Sequence, residues 1–268
     1  MHERETHPRT YRRTDGAADS PVILHVPHAS MQVDAAVRDG IRLTDAALAR
    51  ELALLTDAHT DTIAARAAAL TAVKPFLFVN LRSRLVVDPE RFPDDREELL
   101  AAGMGAVYTR TAHGETLREP DPSHVEHLLT TYYRPYAAAM TSTVDDRLAA
   151  TGRAVILDVH SYPSRALPYE LHGDRSRPPI CLGTDPYHTP PGLLAAARRA
   201  FAPYGEIAEN APFAGCYVPL KHYRRDRAVS AIMVEIRRDT YMEEPGGEPT
   251  AGLDGLAAAL ASLADAVS

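Results

Sequence analysis

The sequence predicts one α/β domain built on a single mixed but mostly parallel sheet, with helices on both faces. Three observations support this prediction. Short apolar runs rich in β-branched residues occur at 22–26, 154–159 and 230–236, which is typical of strands buried on both faces of a sheet. Segments with helical spacing of apolar residues alternate with these runs. No change in composition is sharp enough to divide the 268 residues into two domains.

The first half of the chain alternates predicted strands and helices. Residues 1–20 are polar and charged, and they are predicted to form a flexible tail ahead of a domain that spans 21–268. After the first strand, apolar residues recur at helical spacing from the capping residue Thr44 to Leu70, with a possible break around Asp57. A strand is expected at 71–79. Residues 93–122 are rich in proline, aspartate and glycine, which indicates a long loop with a short strand at 107–108.

The second half continues the alternation. Ser123 begins a long helical pattern that Pro135 should kink or split. After the strand at 154–159, the remaining elements are predicted in this order: a short strand at 180–184, a helix at 192–201, a strand and loop at 213–223, a strand at 230–236 and an amphipathic helix at 253–267.

Composition excludes several classes of protein. The formal net charge of −7 argues against nucleic-acid binding, which normally requires a basic patch. The two cysteines, Cys181 and Cys216, match no metal-binding spacing and fit a reducing cytoplasm. The first twenty residues lack the apolar core of a secretory signal, and no apolar run approaches the roughly 20 residues needed to span a bilayer. We therefore expect a cytoplasmic protein with no membrane partner.

Ionisable residues end three of the predicted strands. His28 follows the first, Asp158 and His160 end the central one, and Glu235 lies within the last. Because ligands bind at the carboxyl ends of strands in such sheets, these residues can converge on a metal site. A hydrolytic zinc site needs about three histidine or carboxylate ligands, and a further carboxylate can act as the base. The alternative for Glu235 is a structural salt bridge to Arg237 or Arg238.

The third metal ligand is expected from the segment TDAHTDTI at 56–63, which offers Asp57, His59 and Asp61. Asp57 and Asp61 would share one helix face, since they are four residues apart. Helix capping by Asp57 and solvation of an exposed face are the alternatives. The residues alone do not choose among the three.

A charged segment at 80–92 carries candidate substrate-binding residues. Arg84 and Arg91 flank Asp88, and arginine suits bidentate recognition of a carboxylate. In an acidic protein this pattern suggests a small anionic substrate, whereas an internal ion pair with Asp88 is the alternative. Lys221 and His222 are candidates for further substrate contacts.

Taken together, these segments resemble the N-formylglutamate amidohydrolase family, which is distantly similar to metallocarboxypeptidases. The segments that carry the resemblance are HVPHAS (25–30), TDAHTD (56–61), SRLVVDPERF (83–92), GMGAVYTRTAHGETLR (103–118), YYRPY (132–136), LDVHSYPS (157–164), CLGTD (181–185), FAGCYVPLKHY (213–223) and VEIRRDTYM (234–242). They occur in order from about residue 22 to residue 242. The resemblance implies a phosphorylase/hydrolase-like zinc-exopeptidase architecture.

The resemblance also implies roles for individual residues. His28 and His160 would bind the metal, Asp57 would be the remaining ligand, and Glu235 would be the general base. Metallocarboxypeptidases carry a carboxylate ligand three residues after the first histidine, where this chain has Met31. Two other positions depart from the better-studied formylglutamate hydrolases: Glu90 stands in DPER where they resemble DLNR, and Ala137 follows the PY motif where they have histidine.

These expectations define a metal-dependent amidohydrolase, with zinc as the expected metal. Its substrate would be a small anionic N-acyl amino acid, with N-formyl-L-glutamate as the first choice, and the protein would be a monomer or a small homo-oligomer. One rival is a carboxypeptidase-like or biosynthetic amidase that acts on a larger, peptide-like amide. Another is a binding protein that holds a carboxylate ligand without turnover.

Overall fold

A computed structural model describes residues 9–171 and 173–268, and it contains one seven-stranded mixed sheet with helices on both faces. The predicted α/β fold class is therefore confirmed. The strands are β1 (Tyr11–Thr14), β2 (Val22–Val26), β3 (Phe76–Asn80), β4 (Ala154–Tyr162), β5 (Ile180–Gly183), β6 (Ile207–Glu209) and β7 (Val229–Arg237). Their order in the sheet is β1-β3-β2-β4-β7-β5-β6.

The centre of the sheet is parallel and its two sides are mixed. Strands β3, β2, β4 and β7 run in one direction, so their carboxyl ends meet at one edge. Strand β5 is antiparallel to β7, and β6 is parallel to β5. On the other side, β1 pairs antiparallel with β3. This order places His28, which follows β2, beside the end of β4 and close to the end of β7.

Strand β1 shows that the prediction of a flexible tail over residues 1–20 is wrong for residues 11–14. Residues 11–14 (YRRT) pair with β3, with Tyr11 opposite Asn80 and Thr14 opposite Leu77. Tyr11 stacks on Phe78 with 5.0 Å between the ring centroids. An edge strand is held by backbone pairing and can need only one apolar side chain, here that of Tyr11. Its mostly polar composition therefore does not identify it as a strand. Residues 1–8 of the predicted tail lie outside the described residues.

Seven helices surround the sheet within the described residues. Their bounds are α1 (Ala35–Arg38), α2 (Asp45–Leu55), α3 (Thr60–Leu70), α4 (Pro122–Leu128), α5 (Arg134–Thr151), α6 (Pro191–Phe201) and α7 (Gly252–Ala266). Helices α3, α6 and α7 cover one face through a cluster that includes Leu24, Leu157 and Val234. Helix α5 covers the other face through Tyr136, Met140 and Val144. No helix among these is long and apolar enough to cross a membrane.

Two helical expectations are confirmed in detail. The predicted break near Asp57 separates α2 from α3, and Thr44 caps α2 by accepting a hydrogen bond from the backbone N–H of Ala47. Pro135 splits the long pattern as expected, because α4 ends at Leu128, a π-helical turn covers Leu129–Tyr133, and α5 begins at Arg134.

The loops deviate from expectation in smaller ways. The predicted strand at 107–108 is only an isolated bridge between Met104 and Tyr108, and residues 213–223 form turns without a strand. The strand expected at 71–79 is shorter and covers Phe76–Asn80. Residues 81–121 contain no helix beyond a 3-10 turn at Leu100–Ala102. Their apolar side chains pack in two clusters, one with Leu48 and Leu55 of α2 and one with Val37 of α1 and Leu128 of α4.

One face of the sheet changes character along its strands. On the α5 side, β2 presents Ile23 and then His25, β4 presents Ile156, Asp158 and His160, and β7 presents Ala231, Met233 and Glu235. The apolar residues lie under α5, whereas the polar residues lie beyond it toward the carboxyl ends. The period of two along each strand therefore gathers the ionisable side chains at one edge of one face.

Candidate active site

Three ligand-type atoms from different elements converge at this edge. Nδ1 of His28 lies 3.3 Å from Nδ1 of His160 and 3.7 Å from Oδ2 of Asp57, and Nδ1 of His160 lies 3.2 Å from the same carboxylate oxygen. All three residues are buried. His28 follows β2, Asp57 lies between α2 and α3, and His160 lies on β4. The structure thus brings together the three residues predicted to bind a metal.

The donor set fits a divalent cation. Tetrahedral zinc with bonds of about 2.0–2.2 Å holds neighbouring donor atoms about 3.3–3.6 Å apart, close to the spacing seen here. Metal-binding histidines commonly direct their second ring nitrogen at a carboxylate. Nε2 of His28 lies 2.9 Å from Oδ1 of Asp88, and Nε2 of His160 lies 3.0 Å from Oε2 of Glu90 and 3.1 Å from Oδ1 of Asp158. The imidazole of His28 therefore has such a hydrogen bond, whereas Nε2 of His160 lies within ion-pair distance of two carboxylates without a hydrogen bond to the described residues.

Asp57 is the member of its segment that reaches the site. Its second oxygen, Oδ1, accepts a hydrogen bond of 3.0 Å from Nη2 of Arg238. Burial alone would raise the pKa of Asp57, but hydrogen bonds from His160 and His28 and the charge of Arg238 hold the pKa well below its usual range. The group is therefore anionic at neutral pH and could serve as a metal ligand. The ring of His59 is turned instead to the carbonyl of Gly247 at 2.8 Å, and Asp61 accepts a hydrogen bond from the backbone N–H of Thr62.

Glu235 lies next to this triad without an ion-pair partner. It is the register partner of His160 on the neighbouring strand and is 7% exposed. Its Oε2 atom is buried and makes no hydrogen bond to the described residues. Burial raises the pKa of Glu235 to about 7. The alternative of a salt bridge is not seen, because Arg238 binds Asp57 and Arg237 binds Asp239.

The triad and Glu235 line a cavity of about 680 Å³. The walls of the cavity are formed largely by the segments at 84–99, 161–171 and 212–223. Arg84 and Arg91, the two arginines predicted to bind substrate, both line it. Arg84 also forms the internal ion pair that was the alternative, with 2.8 Å between its Nη2 and Oδ2 of Asp88. Tyr108 donates a further hydrogen bond of 2.6 Å to that oxygen.

Comparisons with known proteins show which family the chain belongs to. A family model described as N-formylglutamate amidohydrolase matches residues 20–242. The chain belongs to the N-formylglutamate amidohydrolase family. It is accordingly a hydrolase that acts on a linear amide bond.

Individual relatives span nearly the whole chain. An N-formylglutamate deformylase from Pseudomonas putida is 28% identical over 235 residues, which cover 84% of this chain and 82% of the relative. The crystal structure of N-formylglutamate amidohydrolase from Ralstonia eutropha JMP134 matches with a TM-score of 0.78 at 23% identity, and covers 96% of both chains. A gene product from Agrobacterium tumefaciens matches with a TM-score of 0.70 at 18% identity, covering 98% of this chain and 95% of its own. The two structures show that the fold is shared.

Lys221 and His222 do not both reach the cavity of this family member. Lys221 lines the cavity, but its Nζ lies 2.7 Å from each carboxylate oxygen of Asp145 on α5. His222 is buried away from the cavity, with its Nε2 at 3.0 Å from Asp145 and its Nδ1 at 3.3 Å from Asp226. His222 therefore links the turn at 219–226 to α5 and does not contact the cavity.

A second polar layer behind His160 was missed by the sequence analysis. His25 places Nδ1 at 2.8 Å from Oδ1 of Asp158, and its Nε2 is 2.5 Å from the hydroxyl of Tyr136. Glu90 reaches the same layer, with Oε1 at 3.5 Å from Nδ1 of His25. The signal for His25 was available, because a histidine in the middle of a buried apolar strand needs polar partners. The position of Glu90 had no such signal, since it lies in a loop.

Proposed function

We propose that this protein is a metal-dependent amidohydrolase that cleaves N-acyl amino acids, with N-formyl-L-glutamate, the compound named in its relatives, as the first candidate. Hydrolysis would give formate and L-glutamate. The observation that supports this most strongly is the convergence of His28, Asp57 and His160 next to Glu235, a buried carboxylate without an ion-pair partner.

The metal would be held by Nδ1 of His28, Nδ1 of His160 and Oδ2 of Asp57, and we propose zinc. When bound there, a divalent cation supplies Lewis-acid polarisation of the amide carbonyl and lowers the pKa of water. The carboxylates of Asp88, Glu90 and Asp158, at 2.9–3.1 Å from the Nε2 atoms, would keep the two imidazoles oriented toward it.

Glu235 would act as the general base and then as the general acid. Its carboxylate takes a proton from the attacking water while the oxygen of that water bonds to the acyl carbon. The proton then passes to the leaving nitrogen as the C–N bond breaks, so the amine leaves as a neutral group. Burial raises the pKa of Glu235 to about 7 in the metal-free protein, and a pKa raised toward neutrality favours both transfers, because general acid–base catalysis is most efficient when the pKa lies near the working pH.

Arg91 and Arg84 would orient the substrate. Arg91 lies at the cavity wall and is the less tightly paired of the two, with 3.1 Å between Nη1 and Oε1 of Glu97 and 3.7 Å between Nε and Oδ2 of Asp88. We assign it to the substrate carboxylate. Arg84 is the more buried arginine, and its charge would favour the negative charge that develops on the carbonyl oxygen.

The test measures formate release and peptide cleavage side by side. Protein freed of metal by chelation should be inactive on N-formyl-L-glutamate, and stoichiometric zinc should restore formate release. Asp57→Asn should retain little activity at the same zinc concentration. Faster cleavage of short peptides would support the carboxypeptidase-like rival. Tight binding of glutamate by the zinc-loaded protein without turnover of any amide would support the binding-protein reading and sink the proposal.

A further inference from the structure

N-formyl-L-glutamate carries two carboxylates, whereas Arg91 accounts for only one of them. The arginine and lysine side chains that line the cavity are Arg84, Arg91, Arg96, Lys221 and Arg238. Arg84 and Arg238 are mostly buried, and each already pairs with a carboxylate of the candidate site. An anion that enters a cavity loses hydration and needs a counter-charge. Arg96 and Lys221 are therefore the two candidates for the second carboxylate.

The chemistry of the substrate separates its carboxylates in depth. Only the α-carbon separates the α-carboxylate from the scissile nitrogen, so this group would lie close to the metal triad. Arg91 lies on that side, because its Nε is 3.7 Å from Asp88, whose carboxylate also lies 2.9 Å from Nε2 of His28. The side-chain carboxylate is two methylene groups farther out. Arg96, with a side chain that is 54% exposed, and Lys221, at 58%, lie toward the solvent.

Lys221 is engaged in a link between two structural elements. Its Nζ lies 2.7 Å from each carboxylate oxygen of Asp145 on α5, and Asp145 also lies 3.0 Å from Nε2 of His222. Binding of a substrate carboxylate by Lys221 would break part of this link between the turn at 219–226 and α5. An ammonium group also lacks the planar fork that recognises a carboxylate through two hydrogen bonds.

Arg96 keeps hydrogen-bond donors that no described residue uses. Its Nε and Nη2 bond to Asp94 at 2.7 and 2.6 Å, whereas its Nη1 donates no hydrogen bond to the described residues. Asp94 is two residues away in the same loop and its side chain is 41% exposed, so this is a surface pair of the kind that contributes little to stability. Asp94 occupies one edge of the guanidinium. The Nη1–Nη2 edge can therefore accept a second carboxylate in a bidentate manner.

An aromatic pair holds Arg96 at the cavity wall. The central guanidinium carbon lies 4.8 Å from the centroid of the Phe92 ring, within the range of a cation–π contact. The Phe92 ring in turn packs edge-on against the ring of Tyr223, with 5.8 Å between centroids. Phe92 and Tyr223 belong to two different walls of the cavity. The charge of Arg96 is therefore placed where these two walls meet.

We propose that Arg96 binds the side-chain carboxylate of N-formyl-L-glutamate and sets a preference for acidic over neutral N-formyl amino acids. This inference rests on the proposed function of the site. Asp94 opposes the preference, because its carboxylate partly neutralises the guanidinium. Removal of the charge of Arg96 and removal of the charge of Asp94 should therefore have opposite effects.

The test compares zinc-loaded, full-length variants on N-formyl-L-glutamate and N-formyl-L-glutamine, which differ in the charge of the side chain but hardly in shape. In Arg96→Gln the ratio of kcat/KM for the first substrate to that for the second should fall about threefold to tenfold, mainly through a higher KM for N-formyl-L-glutamate. Arg96→Lys should keep part of the preference, because it keeps the charge without the fork. Asp94→Asn should raise the ratio.

Arg66→Gln and Asp254→Asn are the matched controls. Arg66 is 52% exposed and pairs with Asp254 at the surface outside the cavity, so both variants should keep the wild-type ratio. A wild-type ratio in Arg96→Gln, or a fall of equal size in Arg66→Gln, would overturn the inference. A larger fall in Lys221→Gln than in Arg96→Gln would overturn it in favour of Lys221.

Binding measurements separate failure of this inference from failure of the proposed function. If the wild type hydrolyses neither amide nor any other N-acyl amino acid, the proposed function fails. Calorimetry with zinc-loaded protein then still compares L-glutamate with L-glutamine in the wild type and in Arg96→Gln. A preference for L-glutamate that Arg96→Gln abolishes supports the assignment of Arg96. Equal affinities in the wild type, or a preference that the variant retains, contradict it.

Discussion

Replacing Glu235 by glutamine should separate catalysis from stability. The change keeps the shape of the side chain and removes a buried carboxylate that has no ion-pair partner. General acid–base catalysis contributes about 10²-fold to 10⁴-fold, so kcat should fall by that factor. The corresponding rise in the activation free energy is about 3–5 kcal/mol. Zinc content should stay at the wild-type level, because Glu235 is not among the three proposed ligands.

The same substitution should alter how stability depends on pH in the metal-free protein. Burial raises the pKa of Glu235 from its ordinary value of 4.5 to about 7, so the native state keeps a proton that the unfolded chain has lost. Stability is therefore lost as the pH rises through this interval. Between pH 4.5 and pH 8 the wild type should lose about 3 kcal/mol of unfolding free energy relative to Glu235→Gln.

Two assays check this pair of expectations. Formate release with zinc-loaded protein gives kcat, and urea denaturation of metal-free protein at several pH values gives the unfolding free energy. Glu98→Gln is the matched control, because Glu98 lines the same cavity but is exposed, so both its kcat and its pH dependence should follow the wild type. Stability curves of Glu235→Gln and wild type that stay parallel from pH 4.5 to pH 8 would refute the reasoning about burial. Unchanged kcat would refute the role as base.

The other predictions concern the support of the metal ligands. Asp158→Asn should weaken zinc binding about 10-fold to 100-fold in a chelator competition, because Oδ1 lies 3.1 Å from Nε2 of His160, whereas Asp146→Asn at the surface should not. Arg238→Gln should destabilise the metal-free protein by about 3–5 kcal/mol in urea denaturation, since it leaves Asp57 buried without its cation. Arg134→Gln removes an exposed pair and should cost less than about 1 kcal/mol in the same experiment. Zinc binding at pH 7 should release protons, which calorimetry detects as a binding enthalpy that depends on the buffer. The surrounding carboxylates raise the pKa of His28 and His160, although burial alone would lower it. Because a metal binds neutral imidazoles, the two rings must lose these protons when zinc binds.

The fold was predictable because its signals are local. Strands β2, β4 and β7 are short apolar runs whose burial on both faces follows from their composition alone. The helix break before α3 and the split at Pro135 follow from residue-level backbone preferences. Strand β1 could not be found this way, because its stability comes from pairing with β3, which lies more than 60 residues away in the sequence.

The residues of the candidate site likewise differ in whether local sequence signals indicate them. His28, His160 and Glu235 could be singled out because each interrupts or ends an apolar strand, and sheet geometry then gathers strand ends at one edge. Asp57 could not be chosen over His59 and Asp61 from the residues. The choice depends on the left-handed backbone at His59, with φ of 65°, which ends the loop and turns that ring toward Gly247.

Charge balance gives a physical reason for a cation at this place. The cluster contains the buried carboxylates of Asp57, Asp88 and Asp158 and the partly buried carboxylate of Glu90, and the pKa of Asp57, Asp88 and Asp158 is held low. Among the described residues, the guanidinium groups of Arg84 and Arg238 pair with these carboxylates at 3.0 Å or less, so about two negative charges remain without a close positive partner. Without a metal, protonation of the two ligand imidazoles compensates them. A divalent cation at the proposed site would supply the same two positive charges and leave both Nδ1 atoms available to coordinate it, so the carboxylates beside the histidines would also favour a doubly charged ion.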